Sequence, residues 1–288
     1  MPRPVCITYD STCDLTPQLL ERFQIRTVPL TIQSGERVFA DDGQYTSADL
    51  YADYRRNGTL PKTAAVSPEE FKSFFLPILE EGYDIVHIDI SSELSCTCQN
   101  AVLAAQELAE QGRVCVVDSR QLSTGGGLLA LQGAKLRDSG MDAADVAEEL
   151  RGLASCGDTS FVLDTLEYMW KGGRCSGVAA LGANVLKLKP CLEMREGKLV
   201  VCKKYRGAMG KVYRQYITER LAGKTVVEDH AFITHSGEVS EDTLRELTEL
   251  VRELAPFKEV FITQAGCTVS SHCGPGTLGV LFLRQPAQ

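Results

Sequence analysis

Short apolar runs alternate with segments of helical periodicity along the first half of the chain. The runs that predict buried strands are residues 5–10 (VCITYD), 26–32 (RTVPLTI), 84–90 (DIVHIDI) and 113–119 (RVCVVDS). Thr16 and Pro17 begin a short helix after the first run, and a helical segment follows each of the last two. Strand–helix–strand alternation of this kind predicts a parallel sheet with helices on both faces.

The clearest helix start lies at Ser67-Pro68-Glu69-Glu70. A serine at the N-cap with glutamate at the third helical position forms a capping box, and proline is favoured at the first helical position. The helix that begins here places five apolar side chains on one face, namely Phe71, Phe74, Phe75, Ile78 and Leu79. We therefore expect this face to be buried.

The pattern changes near residue 155. Residues 160–166 predict another strand, and residues 189–205 predict a hairpin that turns at Glu196-Gly197. The elements predicted after the hairpin are a capped helix at about 240–254 and apolar strands at 259–265 and 279–283. This second half therefore has a mixed α+β pattern.

Together these patterns predict an α/β protein of two domains with a ligand between them. Residues 1–155 would form a Rossmann-like domain around a parallel sheet, and residues 156–288 would form a mixed α+β domain. The boundary, at about 153–160, contains no low-complexity linker. Closely packed domains often bind a ligand at their junction.

The composition is that of a globular protein, with 44% hydrophobic residues and a net charge of −8. This negative charge argues against nucleic-acid binding, which needs clustered Lys and Arg. We interpret the one locally basic stretch, residues 203–214, as solvated surface. Because the chain shows neither a signal-peptide pattern nor an apolar run of bilayer length, we expect a soluble, cytoplasmic protein.

The chain has 11 cysteines, which are scattered rather than set in a disulfide framework. We expect a reducing compartment in which most of them are small buried apolar residues. Cys96 and Cys98 could join Cys267, His272 and Cys273 around zinc, although this spacing is tighter than that of common zinc sites. One of these two thiols could instead serve a hydrolase or transferase as its nucleophile, and it would then need a histidine base.

Residues 274–279 match the dinucleotide-binding pattern G-x-G-x-x-G, but their context does not. That fingerprint should end a strand, open a helix and lead through a βαβ unit, whereas here only one more strand follows. We therefore predict a turn before the last strand.

Hydroxyl side chains cluster at the predicted carboxyl ends of three strands, where α/β proteins bind ligands. The clusters are Asp10-Ser11-Thr12, then Ser91, Ser92, Ser95 and Thr97, and finally Asp118-Ser119. Hydroxyl groups at a helix N-terminus favour an anionic ligand, although each could also be a simple helix cap. Three clusters at one sheet edge favour a binding site.

Eight short motifs follow one another along the chain. They are ITYDSTCDL near the start, LPKTAAVSP (60–68), ISSELSCTCQNA (90–101), VVDSRQLSTGGG (116–127), LDTLEYMWKGGR (163–174), KLKPCLEMREGKL (187–199), YRG (205–207) and HCGPGTLGVLF (272–282). Their order and spacing resemble the DegV family, the fatty-acid-binding subunits that serve bacterial fatty acid kinases. The resemblance covers essentially the whole chain.

The resemblance implies a function and a set of ligand-binding residues. Thr63, Ser95, Thr97 and His272 match the family positions around the fatty acid carboxylate. The first domain would then carry the carboxylate-binding loops, and the second would complete a tunnel for the acyl chain.

It also implies a carrier rather than an enzyme. The protein would bind a long-chain fatty acid, use no cofactor or metal, and present the carboxylate to a separate ATP-dependent kinase that forms an acyl phosphate. Arg174 and Arg206 match basic residues that we assign to kinase docking. Transient contact with a membrane surface is compatible with this function.

Two departures from the family pattern concern the carboxylate site. Ala64 replaces a hydroxyl residue, and Cys96 and Cys98 stand where the family has glycine and tyrosine. If the glycine position needs a positive φ, Cys96 would strain the loop. We interpret both cysteines as small apolar side chains around Ser95 and Thr97.

Overall fold

The structure, a computed structural model, describes residues 3–175 and 188–285. Position 187, the first residue of the KLKPCLEMREGKL motif, lies just outside these ranges. Residues 1–2 and 286–288 of the predicted domains also lie outside them.

The strands of the described residues are β1 (Val5–Asp10), β2 (Ile25–Val28), β3 (Thr31–Ser34), β4 (Arg37–Ala40), β5 (Lys62–Ala64), β6 (Asp84–Asp89), β7 (Val114–Asp118), β8 (Gly157–Val162), β9 (Leu188–Arg195), β10 (Lys198–Arg206), β11 (Val226–His235), β12 (Glu259–Gln264) and β13 (Leu278–Arg284).

The α-helices of the same ranges are α1 (Pro17–Phe23), α2 (Ser47–Asn57), α3 (Pro68–Glu80), α4 (Thr97–Glu107), α5 (Thr124–Asp138), α6 (Ala143–Ala154), α7 (Glu167–Gly172), α8 (Met209–Leu221), α9 (Glu241–Leu254) and α10 (Cys267–Cys273). None of them combines the length and apolarity that crossing a bilayer requires.

The first sheet is parallel and has the strand order β2-β1-β6-β7. Helices α3 and α4 pack on one face, where Phe71 and Phe75 are fully buried, and α5 and α6 pack on the other. This arrangement confirms the predicted parallel sheet, and α3 begins with the predicted capping box at Ser67. Of the five apolar residues predicted on one helical face, only Phe74 is half-buried rather than buried.

The second sheet is mixed and has the order β10-β9-β8-β13-β11-β12. Only β11 and β12 pair in parallel, and the other neighbours are antiparallel. Glu196 and Gly197 both have positive φ, as a tight hairpin turn between β9 and β10 requires. The predicted hairpin is therefore confirmed, and so is the turn at residues 274–277 before β13.

A small antiparallel sheet, β4-β3-β5, was not predicted. The run at 26–32 was predicted as one strand, but Pro29 divides it into β2 and β3, which belong to different sheets. Proline has no amide hydrogen to donate to a strand ladder, so pairing stops there. The strand predicted at 160–166 was also misplaced, because β8 ends at Val162.

Helix α5 joins the two larger sheets. It contacts β1 and β6 of the first sheet and β8, β11 and β13 of the second, and one apolar core extends across it. The helix can approach both sheets closely because it presents a glycine to each of them. A Cβ at Gly125 would lie 1.9 Å from Thr159 Oγ1, and a Cβ at Gly126 would lie 1.8 Å from Tyr9 Oη. The division into domains at residue 155 remains a prediction.

Candidate functional site

A cavity of about 350 Å³ contains three of the four residues predicted to bind a carboxylate. Its lining residues are Leu30, Thr63, Ala64, Ala65, Ile90, Leu94, Ser95, Cys96, Leu122, Met169, Arg174, Leu199, Thr268, Val269, His272 and Cys273. They come from both halves of the chain. The cavity therefore forms only when the segments around the first sheet pack against the second sheet, α7 and α10.

The cavity lining is mostly apolar. Thr63, Ser95 and His272 are partly exposed and Arg174 is exposed, whereas most apolar lining residues, such as Ile90, are buried. Two lining residues depart from this pattern, because Ala64 is exposed and the polar Thr268 is buried. The cavity therefore combines a few partly exposed polar groups with a mainly apolar interior.

A narrow void of about 20 Å³ adjoins the interior of the cavity. Leu122, Val269 and Cys273 line both spaces, and the void continues toward Phe161 and Leu281 of the second sheet. The void therefore extends the buried space from the cavity toward the second sheet.

Thr63 and His272 form the best-defined polar contact in the cavity. Thr63 lies on the edge strand β5, opposite Ile32. Its Oγ1 is 3.1 Å from Nε2 of His272, which lies on α10. Helix α10 is held by Asp41, whose carboxylate accepts hydrogen bonds from the backbone amides of Cys267 and Thr268.

Burial and then the nearby Arg174 guanidinium lower the pKa of His272 to about 4. The imidazole is therefore neutral at pH 7. Its Nδ1 is buried without a hydrogen-bond partner among the residues that the structure describes, and it lies against Gly172, where an added Cβ would come within 2.3 Å of it. Gly172 thus leaves the space that this ring needs.

Ser95 lies two residues before α4, in the loop that follows the carboxyl end of β6, where a ligand site is expected. Its Oγ is 2.7 Å from the Oγ1 of Thr97 and accepts a hydrogen bond from the Thr97 amide. Thr97 is fully buried and does not line the cavity. The structure therefore brings Ser95 to the cavity and places Thr97 behind it.

The two departures at Ala64 and Cys96 both line the cavity. Cys96 has φ of −80°, so no positive φ and no strain arises at this position. Cys96 is exposed, which does not fit our interpretation of it as a small apolar side chain packed around Ser95 and Thr97, whereas Cys98 is buried. The family glycine is not needed here for backbone conformation.

The two arginines assigned to docking lie in different places. Arg174 follows α7 and lines the cavity, with its guanidinium donating to the carbonyl of Gly172 at 2.8 Å. Arg206 is exposed at the end of β10 and is absent from the cavity lining. Arg174 is thus near enough to His272 to lower the pKa of its imidazole.

Most of the other predicted hydroxyl groups make structural hydrogen bonds. Ser91 donates to the carbonyl of Gly197 at the hairpin turn, and Ser92 donates to Asp118. The Asp10 carboxylate caps a short 3-10 helix and accepts from the Thr12 hydroxyl, and Ser119 accepts from the Tyr9 hydroxyl. Of these residues only Asp10 is a helix cap, while the serines bond to other parts of the protein. Ser95 alone among the three clusters lines the cavity.

The geometry gives little support to a zinc site or to a cysteine nucleophile. Within residues 3–175 and 188–285, no group of three or more His, Cys, Asp or Glu side chains is arranged to hold a metal ion. Burial raises the pKa of the Cys98 thiol, which opposes formation of a nucleophilic thiolate.

Sequence reasoning missed the apolar wall of the cavity. Leu122, Met169, Leu199 and Val269 contribute to it from a loop, a helix, a strand and a second helix. These residues have no motif in common and are far apart in sequence. Their shared role depends on tertiary packing.

Comparisons with known proteins place this geometry in a family. Residues 4–285 match the family model described as "Uncharacterised protein, DegV family". A DegV domain-containing protein of Deinococcus radiodurans is 30% identical over 284 residues, covering 96% of this chain and 97% of the relative.

Two solved structures have closely similar folds. The first, from Thermus thermophilus, is described as showing fatty acid binding of a DegV family protein; it has a TM-score of 0.87 and 31% identity, and the match covers 98% of this chain and 99% of that one. The second is a DegV lipid-binding protein of Thermotoga maritima, with a TM-score of 0.86, 27% identity and complete coverage of both chains. The chain described here belongs to the DegV family.

Proposed function

We propose that this protein binds one long-chain fatty acid in the cavity and presents its carboxylate to a separate ATP-dependent kinase. The observation that carries the proposal is a mostly apolar cavity whose polar lining residues Thr63, Ser95 and His272 are partly exposed. An amphipathic molecule with one polar head and a long apolar tail fits this arrangement. The fatty-acid-binding relative from Thermus thermophilus supports the same ligand class.

The acyl tail supplies most of the affinity. Burying one methylene group is worth about 0.8 kcal/mol, so a chain of about fifteen methylenes gains roughly 12 kcal/mol before ordering costs. Hydrogen bonds at the head group add less, but they determine which end of the ligand faces the surface.

The neutral His272 can orient the Thr63 hydroxyl toward a carboxylate. If Nε2 carries the proton and donates to Thr63 Oγ1, the hydroxyl hydrogen is free to donate to the ligand. Ser95 supplies a second hydroxyl at the N-terminus of α4, where the helix dipole favours negative charge. Arg174 adds a full positive charge on the same side.

The kinase step of the proposal rests on the family resemblance and on the partial exposure of these polar groups. A carboxylate held by them remains within reach of a partner, while the tail is buried. Arg206 is exposed but lies outside the cavity lining, so it can contribute to docking without touching the fatty acid.

Native mass spectrometry tests the ligand directly. We expect purified protein, or protein incubated with a mixture of long-chain fatty acids, to carry one non-covalent ligand of fatty-acid mass that denaturation releases. Protein that remains empty under both conditions would contradict the proposal.

The head-group assignment predicts the effect of removing hydroxyls. Thr63→Val and Ser95→Ala should each weaken fatty acid binding about 10-fold, because a hydrogen bond to a charged group contributes roughly 1.5–3 kcal/mol. Ser92→Ala is the matched control, since Ser92 bonds to Asp118 and does not line the cavity. Equal affinities for all three variants and the wild type would reject the assignment.

Docking can be separated from binding with Arg206→Ala. We expect this variant to bind fatty acid with unchanged affinity but to support slower acyl phosphate formation by a fatty acid kinase supplied with ATP. Thr63→Val should reduce both the affinity for fatty acid and the rate of acyl phosphate formation. Unchanged acyl phosphate formation by Arg206→Ala would remove Arg206 from the docking surface.

A further inference from the structure

The β9–β10 hairpin contains a bulge at one of its cysteines. Leu192 pairs with Val201 and Cys191 pairs with Lys203, so Cys202 is the extra residue of β10. A bulge interrupts the alternation of side chains along a strand. It allows Cys202 to share a face with Lys203 and Tyr205, both of which bond to Glu219 on α8.

This placement brings two thiols together on that face. The Cys202 thiol donates to the carbonyl oxygen of Cys191 at 3.4 Å, so the Cys202 sulfur lies against the backbone of Cys191. In a bulge two residues of one strand oppose one residue of the other, so Cys202 lies opposite Cys191 together with Lys203. A disulfide needs Cβ atoms about 3.5–4.5 Å apart, which a local approach of these two paired strands would provide.

The two thiols differ in accessibility and acidity. Cys202 is exposed, while Cys191 is buried beneath it. The neighbouring Cys191 and, more weakly, the positive charge of Arg220 lower the pKa of Cys202. The pKa of Cys191 is raised, first by the neighbouring Cys202 and then by burial. Cys202 is thus suited to react with a soluble oxidant, whereas Cys191 stays protonated as a thiol.

We propose that Cys191 and Cys202 form a reversible intramolecular disulfide when the protein meets hydrogen peroxide. The Cys202 thiolate attacks one peroxide oxygen, the O–O bond breaks, and hydroxide leaves, which converts Cys202 to a sulfenic acid. The Cys191 sulfur then attacks the Cys202 sulfur, a disulfide bond forms, and the sulfenic hydroxyl leaves with the thiol proton as water. Two thiols are oxidised and one peroxide is reduced to two water equivalents.

The site is distinct from the cavity cysteines. Cys96 is exposed too, but it precedes α4 and lines the cavity. Cys191 instead packs in a core cluster with α8 residues such as Val212, and Cys202 feels the charge of Arg220 on the same helix. Leu199, on the same strand as Cys202, lines the cavity, so the crosslink would join the strand that forms part of its wall to the neighbouring strand.

Peptide mapping provides a direct test because trypsin cuts between the two cysteines. Cleavage at Arg195, Lys198 and Lys203 separates peptide 188–195, which contains Cys191, from peptide 199–203, which contains Cys202. Reduced, full-length protein would be treated with hydrogen peroxide, alkylated with N-ethylmaleimide under denaturing conditions and digested. We expect the two peptides to be recovered joined, and a reductant added before alkylation to separate them.

Variants identify the role of each thiol. Cys96→Ser, the exposed-thiol control, should still form the crosslink, and Cys202→Ser should not. Cys191→Ser should leave a sulfenic acid on Cys202 that dimedone traps. The proposal is overturned if wild-type protein yields only separately alkylated peptides at a peroxide concentration that oxidises Cys96, a result that needs no variant to fold.

Discussion

At the scale of single residues, His272 shows how burial changes a side chain's chemistry. The sequence places this histidine in a site-like loop before Gly274, but only the structure shows that it lies on α10, contacts Thr63 and is deprotonated. In the proposed function, its neutral state would allow it to orient a hydroxyl group instead of competing with that group for the ligand carboxylate.

This burial predicts a pH-dependent contribution to stability. The pKa of His272 is lowered to about 4 in the folded state from an ordinary value of 6.5, so the unfolded chain binds more protons between these values. The contribution is complete above pH 6.5 and is lost as the pH falls toward 4, by about 3 kcal/mol in the free energy of unfolding.

Denaturant unfolding of wild type and His272→Asn at several pH values would measure it. The wild type should lose stability relative to the variant as the pH falls through this window, because asparagine does not titrate. Saturating fatty acid should reduce the difference, since a bound carboxylate raises the pKa of His272. Parallel curves for the two ligand-free proteins would contradict the shifted pKa.

At the scale of elements, helix α3 illustrates a local signal that worked. Ser67 Oγ accepts from the backbone amide of Glu70, and the Glu70 carboxylate accepts from the backbone amide of Ser67, so both halves of the predicted capping box are present. These contacts lie within one helical turn. They are consequently encoded by neighbouring residues and can be read without the tertiary structure.

We expect Ser67→Ala to lower the free energy of unfolding by about 1 kcal/mol, because it removes the N-cap oxygen. Ser73→Ala is a suitable control, since Ser73 is exposed later on the same helix and donates only to the carbonyl of Glu69. The free energy of unfolding of this control variant should stay within about 0.5 kcal/mol of the wild-type value. Thermal or urea unfolding would check both, and equal losses would argue against the cap.

The run at residues 26–32 illustrates the opposite case. Its apolar residues are continuous in sequence, yet Val28 pairs with Asp10 in the first sheet and Thr31 pairs with Ala40 in the small one. Pro29 indicated an interruption, but nothing local indicated that the chain would continue in another sheet. Strand partners depend on residues elsewhere in the chain.

At the scale of the whole molecule, the glycines of α5 determine how closely the two larger sheets approach. Gly125 contacts Thr159 of β8, and Gly126 contacts Tyr9 of β1, at distances that leave no room for a methyl group. The cavity is lined by segments associated with both sheets, so the packing of α5 also affects its shape.

Gly125→Ala and Gly126→Ala should therefore each destabilise the protein, by about 1–3 kcal/mol, since overpacking displaces neighbouring side chains. Gly152→Ala in α6 is the matched control, because an added Cβ there meets nothing within 4 Å. That change should stabilise by up to about 1 kcal/mol through the higher helix propensity of alanine. Chemical denaturation would measure the free energy of unfolding of the three variants. A Gly126→Ala variant that is more stable than the wild type would refute the close packing.

The sequence by itself determined the features that depend on neighbouring residues. These are the strand and helix periodicities, the cap of α3, the hairpin turn at Glu196-Gly197 and the ordered motifs that resemble the DegV family. Each arises from backbone conformation, capping or alternation within a few positions, and these local interactions are visible in the order of the residues.

Only the tertiary structure decided which residues meet. Thr63 and His272 are 209 positions apart and share a hydrogen bond, while Ser91 and Ser92, close to Ser95 in sequence, bond elsewhere. A bulge brings Cys202 beside Cys191, which simple strand alternation does not predict. The physical reason is that the cavity and the thiol pair form by packing between segments that are distant in sequence. The free energy of that packing depends on all of these segments together, so it cannot be inferred from any one of them.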